Sequence, residues 1–141
     1  MDMTLRIIGH VESSITNSNE APKMEDEGAP QATIHIDPAY RDAMESLEAG
    51  REAIILTWFH EADRSYLQVH PRGDESRKKR GVFSTRSPNR PNPIGMHRVR
   101  LVAVDTGEAP SIIVDRLEAF DGTPVIDIKP IARTYGTDEE R

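Results

Sequence analysis

The spacing of its β-branched segments restricts this chain's fold more than any other feature. "TLRIIGHV" (4–11), "ATIHID" (32–37), "EAIILTWFH" (52–60), "SYLQVH" (65–70), "HRVRLVAVD" (97–105), "SIIVDRLEAF" (111–120) and "TPVIDIKP" (123–130) read as strands, and "GVFST" (81–85) is short and β-rich. Gly, Pro, Asn and Asp punctuate the gaps between them. The stretch 52–60 is almost continuously apolar, as a buried central strand is, and 65–70 can pair with it through a turn at 61–64. In 97–105, Arg98 and Arg100 alternate with Val99, Leu101 and Ala103, one wet face against one dry face. One helix interrupts the series. Asp37 caps it, Pro38 takes its first position, and Tyr40, Ala43, Met44 and Leu47 repeat at helical spacing until Gly50 closes it. Six or seven short strands and one α-helix predict a mainly β domain, a small barrel or sandwich. No strand–helix alternation and no G-x-G-x-x-G occurs, so a Rossmann sheet is not expected.

The chain of 141 residues is long enough for one domain, taken here as 1–141. Residues 12–31 form a long polar loop, and 132–141 a polar tail expected to fray. The N-terminus has no basic segment followed by an apolar stretch, and no apolar run has membrane-spanning length, so a cytoplasmic location is expected. There are no cysteines, and hence no disulfide, thiolate zinc site or cysteine nucleophile. His10, His35, His70 and His97 lack metal-ligand spacing, and no metal is expected. Net charge is −6, yet nine of the 18 Lys and Arg residues lie between Arg72 and Arg100. A cationic segment on an acidic body suits a phosphate, a carboxylate or RNA; equally, it suits pairing with the protein's own acids.

Two stretches carry candidate chemistry. In "GVFSTRSPNRPNPIG" (81–95), Pro88, Pro91 and Pro93 fix φ and push the residues before them toward extended backbone. A loop so constrained loses little entropy when it meets a ligand. Arg86 offers a fork of donors, and Asn92 can donate and accept as a nucleobase edge requires. The alternative is a stiff turn joining two strands. In "FDGTPVIDIKP" (120–130), Asp121-Gly122 marks a turn. Period-two alternation puts Val125, Asp127 and Lys129 on one face, and Ile126 and Ile128 on the other. Asp127 and Lys129 then either pair with each other or line a pocket.

Together the two stretches resemble, in order and spacing, the TsaA-like (TrmO) family. Its members are S-adenosylmethionine-dependent methyltransferases acting on N6-threonylcarbamoyladenosine in the tRNA anticodon loop. The likeness extends over "RIIGHVESS", "APKM", the helix and "ILTWFHE", most of residues 5–130. The resemblance implies a small β-barrel and a homodimer with cofactor pockets near the subunit interface. It puts Pro22, Lys23 and Met24 at the family's Pro-Arg-Gln cofactor segment, of which only the proline is kept. The other cofactor positions it implies are His60 and Glu61, Arg86, Met96, and Asp115, Arg116, Leu117 and Glu118. Asp121, Asp127 and Lys129 then stand around the methyl acceptor, while Lys78, Lys79, Arg80, Arg90 and Asn92 face the tRNA. Ile131 stands where the family has a tyrosine. Two alternatives stay open: a methyltransferase of this fold acting on a small molecule, and a protein that binds S-adenosylmethionine without turnover.

Overall fold

The computed structural model describes residues 1–16 and 28–132. Pro22, Lys23 and Met24, and the chain from 133 onward, lie outside them. The strands are β1 (Gly9–Glu12), β2 (Ala32–Ile36), β3 (Glu52–Trp58), β4 (Gln68–Val69), β5 (Arg80–Gly81), β6 (Ile94–Asp105), β7 (Ser111–Val114) and β8 (Pro124–Pro130). Six of them close a barrel in the order β1-β2-β7-β6-β3-β8, every neighbouring pair antiparallel. Closure leaves the barrel sheet itself no edge to template pairing with another chain. The expected β-barrel, not a Rossmann sheet, is therefore the fold.

Alternation fills the interior. Val11, Ile34, Ile55, Leu101, Ile112 and Val125 are almost wholly excluded from solvent and pack in one cluster. The apolar run 52–58 is central, as expected: β3 pairs with β6 on one side and β8 on the other. Its outward residues Ile54, Leu56 and Trp58 are only half-buried.

Bulges overturn two alternation patterns. Between Leu56 and Thr57 the β3–β8 register slips, so Leu56 opposes Asp127 and Thr57 opposes Val125. Ile126 is the extra residue. Val125 therefore points into the core, Ile128 also packs against it, and Asp127 and Lys129 stay on the outer face. A second slip, between Leu101 and Ala103, exposes Ala103 and turns Val104 inward.

The helix forms where expected but is wound as a 3-10 helix, Pro38–Met44. Asp37 caps it, its carboxylate accepting from the Ala39 amide at 3.0 Å. Ser46 has φ 72, so the chain leaves the helix before Gly50. Gly50 instead donates its amide to the Leu101 carbonyl as the chain enters β3. Tyr40, Met44 and Leu47 still cover the core, whereas Ala43 is exposed. The segment 65–70 does not pair with β3. Only β4 forms there, and it pairs with β5 in a two-stranded ribbon outside the barrel. The rest of 81–85 is a 3-10 turn at Val82–Ser84. No helix among the described residues is long and apolar enough to cross a membrane.

Candidate functional site

Register brings the two motif stretches to one end of the barrel. Near the end of β3, Thr57 lies opposite Gly95, the last residue of the proline-rich stretch, and on its other side opposite Val125, which follows Asp-Gly-Thr-Pro. Gly95 permits the approach, because a Cβ there would lie 2.3 Å from Thr57 Oγ1 and 2.6 Å from the Phe59 ring. The Asp-Gly turn, with Gly122 at φ 85, is tied to the β1 side. The Asp121 and Gly122 amides donate to the carbonyls of Ile15 and Val11 at 2.7 Å each.

The proline-rich stretch is held by side chains of its own and by Arg64. Arg90 donates to the carbonyls of Val82 and of Thr85, the latter at 2.9 Å. Arg64 donates to the Pro91 carbonyl at 2.7 Å and to Asn92 Oδ1 at 3.1 Å, and its guanidinium lies 5.1 Å from the Trp58 ring centre. Asn89 Oδ1 accepts from the Asp63 amide at 2.9 Å. Arg90 and Asn92, read from the sequence as substrate contacts, are thus engaged within the protein. Arg86 Nη2 donates to the Met96 carbonyl at 2.5 Å, while Met96 itself is half exposed on the outer face of β6.

Beneath Met96 lies His97, 1% exposed. Its Nε2 is 2.8 Å from Thr57 Oγ1, its ring meets Phe59 edge-on, and its Nδ1 has no hydrogen-bond partner among the described residues. Glu118 Oε1 stands 4.0 Å from Nδ1. Burial, and secondarily the Arg86 charge, lower the His97 pKa to about 4. The ring is therefore neutral at pH 7, and its approach to Glu118 is a dipole–charge contact, not an ion pair. Arg86 and Glu118, distant in sequence, meet around this imidazole, and Met96 precedes it on the outer face of β6. His97 carries a sequence signal that was passed over: it shares the dry face of β6 with Val99 and Leu101. Arg64 carries none, since only tertiary structure brings it to the loop.

The other expected positions are scattered around this centre. His60 and Glu61 are exposed in the turn after β3. Asp115 accepts from the Arg100 amide at 2.8 Å, Arg116 is exposed, and buried Leu117 donates its amide to the Pro30 carbonyl at 3.0 Å. Asp121 accepts from the Ser13 amide at 3.0 Å. Lys129 Nζ is 3.3 Å from Asp127 Oδ2, the ion pair that the sequence offered as one alternative. That pair shares the outer barrel face with Met96, because Leu56 opposes Met96 on one side and Asp127 on the other. Two strand spacings separate them, roughly 10 Å. Lys78, Lys79 and Arg80 are exposed. Lys79 borders an open groove of about 980 Å³ that runs from Tyr66 and His70 to Ser87 and Asn89.

Comparison with known proteins follows the same lines. Residues 10–137 match the family described as the tRNA-methyltransferase O N-terminal domain. A probable S-adenosyl-L-methionine-binding protein of Methanothermobacter thermautotrophicus is 45% identical over 130 residues, 92% of this chain and 90% of that one. The S-adenosyl-L-methionine-binding protein of Archaeoglobus fulgidus is 40% identical over 127 residues, 90% of this chain and 88% of that one. The crystal structure of TrmO from Pseudomonas aeruginosa superposes with a TM-score of 0.74 at 28% identity, over 100% of this chain and 61% of that one. This chain thus spans less than two thirds of the solved TrmO chain.

Proposed function

This chain belongs to the family of the tRNA-methyltransferase O N-terminal domain, and from that membership we propose that it binds S-adenosylmethionine and transfers its methyl group to an adenosine of tRNA. The observation that carries the reading is the meeting of Arg86 and Glu118 at buried His97, beside Met96, at the barrel end where both motif stretches arrive. The residues suit the cofactor chemically. A guanidinium and a carboxylate stand on either side of a neutral imidazole, which suits a zwitterionic amino-acid end joined to a sulfonium. The buried Nδ1 of His97, short of a hydrogen-bond partner among the described residues, marks a site that a bound ligand would complete through Glu118.

In this reading Arg86 holds the cofactor's carboxylate, Glu118 its cationic part, and the backbone around Leu117 its adenine edge. When bound, the sulfonium supplies an electrophilic methyl group. The new N–CH3 bond forms as the S–CH3 bond breaks, and the bond pair stays on sulfur. Asp127 takes the proton from the attacking nitrogen, and Lys129 orients that carboxylate. Positioning accounts for most of the rate. Lys78, Lys79 and Arg80 meet tRNA phosphates. A second copy of the chain covers Ile94 and Met96, apolar and exposed at 43% and 51%, so that each pocket lies near the interface. A second reading, binding without turnover, is favoured by the relatives' names, which specify binding alone.

Labelled methyl transfer to total tRNA separates the two readings. The first predicts incorporation that Asp127→Asn lowers about 100-fold with the melting temperature unchanged, while sedimentation gives twice the chain mass. Cofactor binding without incorporation would support the second reading. Full turnover by folded Asp127→Asn would remove the proton-acceptor role, and a monomer would remove the shared pocket.

A further inference from the structure

We propose that His97 is a positioning residue for the cofactor pocket: held by Thr57 through Nε2, it presents Nδ1–H to the Glu118 carboxylate and fixes that side chain where it meets the ligand. This rests on the proposed binding of S-adenosylmethionine.

The argument starts from the tautomer. A neutral imidazole carries one proton. If Nε2 held it, the lone pair of Nδ1 would face the Glu118 carboxylate across 4.0 Å, with both side chains largely buried. Two acceptors would then oppose each other in a low-dielectric interior, an arrangement that costs free energy. With the proton on Nδ1, the N–H dipole points at the negative charge, and the Thr57 hydroxyl donates to Nε2 over its 2.8 Å contact. Both ring nitrogens then have a use, and Thr57 locks the ring plane.

The remaining surroundings support the same state. Phe59 packs against the ring at 5.8 Å between centroids, and Gly95 leaves the space that Phe59 and Thr57 occupy. Among the described residues, the ionisable groups that face the ring are Glu118 and Arg86. Arg86 disfavours a second positive charge, so the ring stays a neutral donor. At 4.0 Å the Nδ1–H···Oε1 bond is stretched beyond hydrogen-bond length. A small inward movement of the carboxylate when the pocket fills completes it. His97 touches no reacting atom in this scheme; it acts through Glu118.

Two amide replacements test this, because each mimics one ring nitrogen. The side-chain amide of asparagine sits near the place of Nδ1, and that of glutamine near the place of Nε2. Calorimetric titration with S-adenosylmethionine is expected to show His97→Asn within about threefold of the unaltered chain, and His97→Gln about tenfold weaker or worse. On a Glu118→Gln background the difference between the two should vanish. A merely structural role, served by the Thr57 contact, predicts the reverse order, with His97→Gln the better binder. That result would overturn the proposal. A second readout needs no substitution: 15N spectra of the histidine rings in the ligand-free chain should show His97 protonated at Nδ1 and bare at Nε2, and the opposite tautomer would also overturn it. Failure of the unaltered chain to bind the cofactor, with the Nδ1–H tautomer in place, would sink the cofactor reading and this role together. Normal binding with the order of the variants reversed would sink this role alone.

Discussion

At the scale of the residue, His97 has a consequence for stability that does not depend on any ligand. Its pKa is about 4 in the folded chain and 6.5 as a free side chain. Below pH 6.5 the unfolded chain takes up a proton that the folded chain refuses. Stability is therefore full above that pH and falls as the solution is acidified toward pH 4, by up to roughly 3 kcal/mol. Glu52, Asp63 and Asp74 act at lower pH. Their carboxyls are held below the usual range, by the Arg98 hydrogen bond for Glu52 and by Ser65 and Ser76 for the two aspartates. Their contribution is present above the ordinary carboxylate pKa and is lost as pH drops through the lowered values. Urea midpoints measured from pH 7 to pH 4 should thus decline from about 6.5 in the unaltered chain. In His97→Asn they should hold until about pH 5. Parallel curves would mean that the imidazole is not buried neutral. Alternation in β6 extends to His97 and would put it on the dry face, yet no pattern could name Thr57, 40 residues away, as its partner. A period gives the side a residue faces; only register gives what it meets.

Among the elements, the proline-rich stretch is where the sequence said most and misassigned most. Its rigidity was legible, because proline acts on its own neighbours. The uses of its cations were not, because they depend on carbonyls brought near by tertiary folding. Arg90 satisfies the carbonyls of Val82 and Thr85 from within the loop. Arg90→Ala should therefore lower stability by about 1–3 kcal/mol, with Arg90→Lys recovering little, since an ammonium lacks the planar fork. Denaturant unfolding measures this. An unchanged midpoint together with lost RNA affinity would return Arg90 to the role first expected of it. The strand at β6 followed from alternation, β3 from its continuous apolar run and β2 from its β-branched content. The bulges in β6 and β8 did not, because an extra residue leaves no mark on composition, and they decide that Asp127 and Lys129 face outward while Ile128 turns to the core. The helix was placed by its Asp-Pro start, but its end was not, since the chain turns away at Ser46, with φ 72, ahead of Gly50.

For the molecule as a whole, the decisive fact is closure. β1 pairs with both β2 and β8, so residues at the two ends of the sequence meet. β3 lies between β6 and β8, and so joins the proline-rich stretch to the Asp-Gly-Thr-Pro turn. Short strands and turn signals made a barrel legible, whereas strand order was not, since any of several orders satisfies the same alternation. Closure also concentrates opposite charges: Arg86 and Glu118 stand at one barrel end, on an acidic chain of net charge −6. The central claim is that this end holds S-adenosylmethionine. Calorimetric titration of the cofactor into the chain and into Arg86→Ala tests it most directly. A saturable heat with one cofactor per chain, weakened about tenfold or more in a variant that melts normally, is the predicted result. No heat in the unaltered chain, or equal affinity in the two, would contradict it.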